Sequence, residues 1–314
     1  MATNNRKTLR LTCTILIVMV VSQGWSQQKP VYTMQEIARI GVNPAYTGNE
    51  GIYDLVLLSR QQWVGFEGAP KSYYLAAHAP LRNQKAGVGF DFQRNTSGPF
   101  VQNGIFLSYA YTIKIAEATK LSFGLRGGIS SYQIRYDDLL IIDPGDQLFE
   151  TNVNKIILPN VGLGIHFEFK NYYADFSMPT LLRNEFSPDK MDRSGLQNKE
   201  ERIYNIQTGA KFEITEGVAI QPAIALWLIG GAPALIDIRL SVLLKNAAGI
   251  GLVYRVSGSF GAYVSYKVTD NFILGYAYEL PLDYNYQLSS GTHEVVLGFD
   301  FQFLNSKTQS PRSF

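Results

Sequence analysis

From residue 52 onward the chain alternates apolar and polar residues with a period of two, and it repeats this in segment after segment. In "LSFGLRGGISSYQI" (121–134), Leu121, Phe123, Leu125 and Ile129 share one parity, while Ser122, Gly124, Arg126, Gly128 and Ser130 share the other. In "VGLGIHFEF", Val161, Leu163, Ile165, Phe167 and Phe169 stand against Gly162, Gly164, His166 and Glu168. Period two is the signature of a β-strand whose two faces meet different surroundings. The pattern predicts fourteen strands: 53–63, 72–80, 85–93, 104–113, 120–134, 158–169, 172–178, 202–214, 218–229, 234–244, 249–257, 260–268, 272–280 and 292–303. Pro222 falls inside the ninth, where it removes a ladder donor, so a bulge is expected there.

The connections decide what the strands build. One set is short: 81–84, 114–119, 170–171, 215–217, 245–248 and 269–271. The alternating set holds every long connection, at 64–71, 94–103, 135–157, 179–201 and 281–291, with short members near 230–233 and 258–259. Alternate connections of an up-and-down meander lie at one end. Long loops at one end, tight turns at the other and an even strand number are the pattern of an outer-membrane barrel. A sheet that enters lipid must close, because the bilayer satisfies no strand edge. The reading is an all-β, transmembrane, up-and-down antiparallel β-barrel of about 14 strands. Its apolar face meets lipid and its Gly-, Ala- and Ser-rich face, with few charges, lines the lumen. The alternative is a secreted soluble β-sandwich or barrel, whose strands are usually shorter. Composition agrees: the chain is 46% hydrophobic with a mean hydropathy of −0.04, and Gly (28), Tyr (19) and Phe (18) are prominent.

The N-terminus breaks the pattern. Arg6, Lys7 and Arg10 precede the apolar run "LTCTILIVMVV" and then "SQGWSQQ", which reads as a secretory signal peptide over 1–26. The run is too short for a spanning helix. The one cysteine, Cys13, lies within it, so the mature chain would have no thiol. Removing 1–26 takes away three cations and leaves 25 Lys+Arg against 26 Asp+Glu, a balance that suggests no nucleic-acid partner. Residues 27–51 form a separate segment. Met34, Ile37, Ala38 and Gly41 allow a turn or two of helix, and Asn43-Pro44 forces an extended or turn conformation. This segment is expected at the periplasmic mouth as a plug; the alternative is a disordered leader. The barrel then runs over 52–303, followed by a tail at 304–314.

Catalytic signals are weak. His78, His166 and His293 sit on three strands without metal-ligand spacing, and each is expected to be hydrogen-bonded. "DPGD" (143–146) lacks the calcium-loop spacing and reads as a turn. No enzyme, cofactor or metal is expected.

Several stretches are more specific: "NPAYTG" (43–48), "RQQWVGFEGAPKSYYLAAHAPL" (60–81), "LSFGLRGGISSYQI", "GGAPALIDI" (230–238), "LGYAYEL" (274–280) and "SSGTHEVVLGF" (289–299). Together and in this order they resemble the PorP/SprF family of Bacteroidota outer-membrane proteins, over residues 30 to 303. The block around Trp63 and the block Asn43, Pro44, Ala45, Tyr46 are the most diagnostic. The tail after Phe303, which carries the chain past its last strand, departs from the family pattern. The resemblance implies a place in type IX secretion and gliding motility. It implies contacts with periplasmic ring or peptidoglycan-associated components, and help in exporting or anchoring surface proteins through their C-terminal domains. The alternative function is a diffusion porin or small-solute transporter. For a contact role the outer loops offer Trp63, Phe66, Tyr284 and Tyr286. The plainer reading of these aromatics is a belt at the membrane interface.

Overall fold

The computed structural model describes residues 30–82, 84–135, 153–184, 200–245, 247–256, 258–282 and 289–301. The signal peptide, "DPGD", Tyr284, Tyr286 and the tail lie outside the described residues. Fifteen strand segments follow in order: β1 (Tyr53–Gln61), β2 (Lys71–Pro80), β3 (Ala86–Ser97), β4 (Phe100–Ala116), β5 (Thr119–Ile134), β6 (Val153–Phe169), β7 (Tyr172–Thr180), β8 (Ile203–Ala210), β9 (Phe212–Thr215), β10 (Val218–Ile229), β11 (Leu235–Leu244), β12 (Ala248–Arg255), β13 (Ser259–Thr269), β14 (Phe272–Pro281) and β15 (Thr292–Phe301). Apart from β8 and β9, strands consecutive in sequence pair antiparallel, and β1 pairs with β15 from Tyr53↔Phe301 to Gln61↔His293, so the sheet closes. Both β8 and β9 pair with β10 and form one span interrupted at Lys211. The described residues therefore make a fourteen-strand barrel.

Pro222 acts differently from expectation. Its pairing with Leu240 of β11 is regular. On the other side the ladder skips from Ala223↔Gly209 to Ile220↔Phe212 without changing register. The missing N–H therefore opens a gap opposite Lys211, whose own N–H donates to Asn171 O. No bulge is needed there; the register shift falls at Val218/Ala219.

The connection 94–103 is also different. β3 and β4 continue as a paired hairpin to Ser97↔Phe100, turned by Gly98 at φ 53. The segment reads as loop because it is polar, yet Arg94 and Asn95 bond Asn103 and Gln102 across the ladder. Polarity here marks strands that have left the apolar band, not a break in pairing. The remaining long connections, 62–70, 135–152, 181–202 and 282–291, share one end (the loop end), as inferred. The other end carries tight turns, and Lys170 (φ 53) and Lys245 (φ 51) take the positive φ that short hairpins require.

Parity assigns the faces as read. Leu107 (66% exposed), Phe123 (43%) and Leu125 (65%) point outward, whereas Ser122, Arg126 and Ser130 are buried inside. The core is not between sheets but within the lumen. Tyr32, Met34, Ala38 and Ile40 pack there against Val56, Leu58, Tyr74, Ala76, Val253 and Val296.

Candidate functional site

Residues 30–51 form a strap that occupies the lumen. Its secondary structure is slight: single 3₁₀ turns at Arg39–Gly41 and Pro44–Tyr46, with Asn43 extended (φ −131, ψ 107) and its side chain capping Ala45 N–H at 3.0 Å. Proline at the first turn position needs no donor, and asparagine supplies the cap, so "NPAY" encodes a compact corner.

That corner docks on glycines. A Cβ on Gly164 would overlap Asn43 Oδ1, one on Gly124 would overlap Pro44 and Ala45, and one on Gly87 would overlap Thr47 O. The inward glycines are thus a seat for backbone, a purpose the alternation alone does not reveal. Polar bonds fix the corner in place. Asn43 Nδ2 donates to Ile165 O at 3.1 Å, and Tyr46 Oη donates to Asp175 Oδ2 at 2.7 Å. His166 Nδ1 lies 2.7 Å from Asp175 Oδ1, and its ring stacks tilted on Tyr46 at 4.5 Å. Nearer the turn end, Gly48 N–H donates to His78 Nδ1, and His78 Nε2 is 3.2 Å from Asp54. His293 lies 2.7 Å from Tyr276 Oη, so all three histidines are hydrogen-bonded.

The expected place of this segment was the mouth at the turn end; the structure carries it much further. Thr33 and Met34 reach β14 and β15 near the loop end. There the Glu294 carboxylate accepts both backbone N–H groups, at 3.0 and 2.7 Å. Arg60 Nη1 donates to Thr33 Oγ1 (3.0 Å) and to Glu294 (3.1 Å), and Arg60 Nη2 donates to Glu279 (3.0 Å). Arg255 bridges Glu279 (2.8 Å) and both oxygens of Asp237. Lower down, Arg126 forms a two-point pair with Asp91, donates to Gly41 O at 3.2 Å, and lies over the Phe106 ring at 3.8 Å.

The lumen is therefore not charge-poor, as the residue pattern suggested. Each strand contributes only one or two ionisable residues, such as Arg60, Asp91, Arg126, Asp237, Arg255, Glu279 and Glu294, all buried. Strand by strand they look sparse; closure joins Arg60, Glu294, Glu279, Arg255 and Asp237 into one network, and Asp91 and Arg126 form a separate pair. Another cluster that the sequence reading missed closes the wall where β7 stops. Asn160 Oδ1 accepts Leu181 and Leu182 N–H at 3.1 Å, and its Nδ2 donates to Glu200 at 2.7 Å. Tyr132 Oη and Asn184 Nδ2 donate to the same Glu200 side chain.

At the loop end, Trp63 lies just past β1 at φ 51 and is half-buried, while Phe66 is 53% exposed. Val64 N–H donates to Gly291 O (2.8 Å) and Ser290 N–H donates to Val64 O (2.7 Å), which joins the β1–β2 and β14–β15 connections. The described ends of these two connections thus meet because the first and last strands pair; Tyr284 and Tyr286 lie outside the described residues. Among the described residues no group of three His, Cys, Asp or Glu is placed to hold a metal.

A closed antiparallel barrel with an apolar exterior, loops at one end and turns at the other is an outer-membrane β-barrel protein. The chain belongs to the PorP/SprF family: the model of the type IX secretion system membrane protein PorP/SprF matches residues 25–299. Among curated proteins no relative matches it. Solved structures that it resembles include Omp33 of Acinetobacter baumannii (8% identity, covering 81% of this chain and 100% of that one, TM-score 0.44). Others are a TodX deltaS2S3 mutant monoaromatic hydrocarbon channel (8%, 91% and 98%, 0.49) and KdgM porin (8%, 80% and 99%, 0.36). These likenesses are too distant to bear on function.

Proposed function

We propose that this protein is a contact component of the type IX secretion machinery, working through the two ends of a filled barrel rather than through catalysis. The observation that carries the reading, beside family membership, is the occupied lumen: the chain's own strap is buried from His78 near the turns to Glu294 near the loops. A standing wide channel, which a general porin needs, is not supported by that filling. The turn end faces the periplasm and offers its short hairpins to ring or peptidoglycan-linked components. The loop end faces outward and offers Trp63, Phe66, Tyr284 and Tyr286 to the C-terminal domains of secreted surface proteins. Large aromatics on neighbouring loops are the residues that dominate protein interfaces.

Orientation has its own test. A cysteine replacing Glu67 is expected to react with an impermeant maleimide in intact cells, and one replacing Lys170 only after the outer membrane is opened. The reverse order means that the barrel is inverted. For the contact role, alanine at Trp63, Phe66, Tyr284 and Tyr286 together should leave heat-modifiable barrel at wild-type abundance. Surface proteins should then shift from the cell envelope into the medium by severalfold. Unchanged retention by a folded quadruple variant would refute the anchoring role.

A further inference from the structure

We propose a further activity: the lumen is a gated passage for small hydrated ions, and residues 30–41 of the strap are its gate. This reading does not depend on which proteins the barrel contacts.

The strap has two unlike halves. Its corner, from Asn43 to Gly48, is wedged against glycine backbones that leave no room for a Cβ, so it is fixed. The preceding half is held mainly by side chains, and the decisive one is Glu294, whose carboxylate receives Thr33 and Met34 N–H. One flank of this half is loosely packed: a small solvent-connected void of about 40 Å³ lies beside Val31, Tyr32, Gln35 and Ala38, next to Trp227.

The wall behind this half is made for water. A permanently covered wall gains nothing in stability from ion pairs, because desolvation offsets their attraction and apolar residues of similar size serve as well or better. Yet the strap covers Arg60, Glu279 and Glu294, and beside them Arg255 with Asp237. Arg239 is the sharpest case. It is 2% exposed, its hydrogen bond runs from Nη2 to Gln35 of the strap at 2.8 Å, and its Nε and Nη1 have no partner among the described residues. Unpartnered buried N–H groups are costly unless hydrated. A wall of both signs with spare donors is what an aqueous lumen requires when the gating half swings out. The apolar contacts of Tyr32, Met34 and Ala38 keep the closed state dominant.

The strap can be locked. A Cβ on Gly261 would lie 3.0 Å from Thr33 Cγ2, a γ position that the sulfur of a cysteine at residue 33 can take, so a disulfide between the two sites is within reach, and the only cysteine of the sequence is Cys13. The test is potassium chloride current through purified protein in planar bilayers, with heat-modifiable mobility confirming fold. The wild type is expected to be closed most of the time with brief openings. Glu294→Gln should raise open time at least several-fold. The pair Thr33→Cys with Gly261→Cys should open like the wild type when reduced and fall silent when oxidised. Current that is equal in the oxidised and reduced pair overturns the gate. So does a folded wild type, Glu294→Gln variant and reduced pair that all pass no current, for the strap is then a fixed core.

Discussion

Arg126→Ala is expected to be the most damaging single truncation in the lumen. Arg126 and Asp91 are fully buried, and the guanidinium also caps Gly41 O and covers the Phe106 ring. Removing it leaves Asp91, among the described residues, with the Gln93 amide at 2.9 Å as its side-chain partner. Breaking a buried pair by deleting one partner costs about 3–5 kcal/mol, mostly from the stranded charge. Denaturant titration of the purified barrel in detergent should show that loss as an earlier midpoint with an unchanged slope. The double variant Arg126→Met with Asp91→Leu should recover most of it, because no charge remains uncompensated. A single variant that loses less than about 1 kcal/mol would mean that water already solvates Asp91, and that the lumen is wetter at this level than its packing implies.

Leu125→Arg should be nearly as harmful by an unrelated route. Leu125 is 65% exposed on the outer face of β5, flanked by Leu107 and Tyr109 of β4 and Leu163 of β6. An arginine on the lipid face near the midplane costs about 2–4 kcal/mol. Outer-membrane abundance should fall sharply, while Leu125→Phe is tolerated. The neighbouring Gly124→Ala provides the contrast. Parity alone makes it a mild change in an empty lumen, but the structure places Pro44 and Ala45 where the methyl would go. It should therefore also destabilise, through the strap, and it should be rescued by removing residues 30–46. Leu125→Arg should not be rescued by that deletion. Equal behaviour of the two variants under deletion would refute the seat.

The fourteen spans were legible because the alternation that specifies them is local: each strand announces both of its faces within ten residues. The end of the barrel carrying the loops was legible from connection lengths for the same reason. What stayed hidden is whatever needs closure to exist. Arg60 is more than two hundred residues from both Glu279 and Glu294 in the chain and joins them only when β1 meets β15. The role of Gly87, Gly124 and Gly164 was hidden in the same way. A glycine facing inward reads as a small residue in a crowded lumen, and nothing nearby tells that another segment's backbone will lie on it. "NPAY" signalled a turn correctly, but the distance its flanking residues travel up the lumen is set by partners on β14 and β15. The outer part of β3 and β4 was missed because polarity was read as loop, when it marks a hairpin above the apolar band.

Glu294 belongs to the last strand and pairs directly across the closing ladder with Arg60 of the first. It is also the residue that grips Thr33 and Met34. The seam that turns a sheet into a barrel and the seating of the N-terminal segment therefore share one carboxylate. During biogenesis a chain that zipped shut around an empty centre would complete its ladder but leave that carboxylate half-bonded. The seal of the wall and the seating of its filling are thus energetically linked through a single side chain.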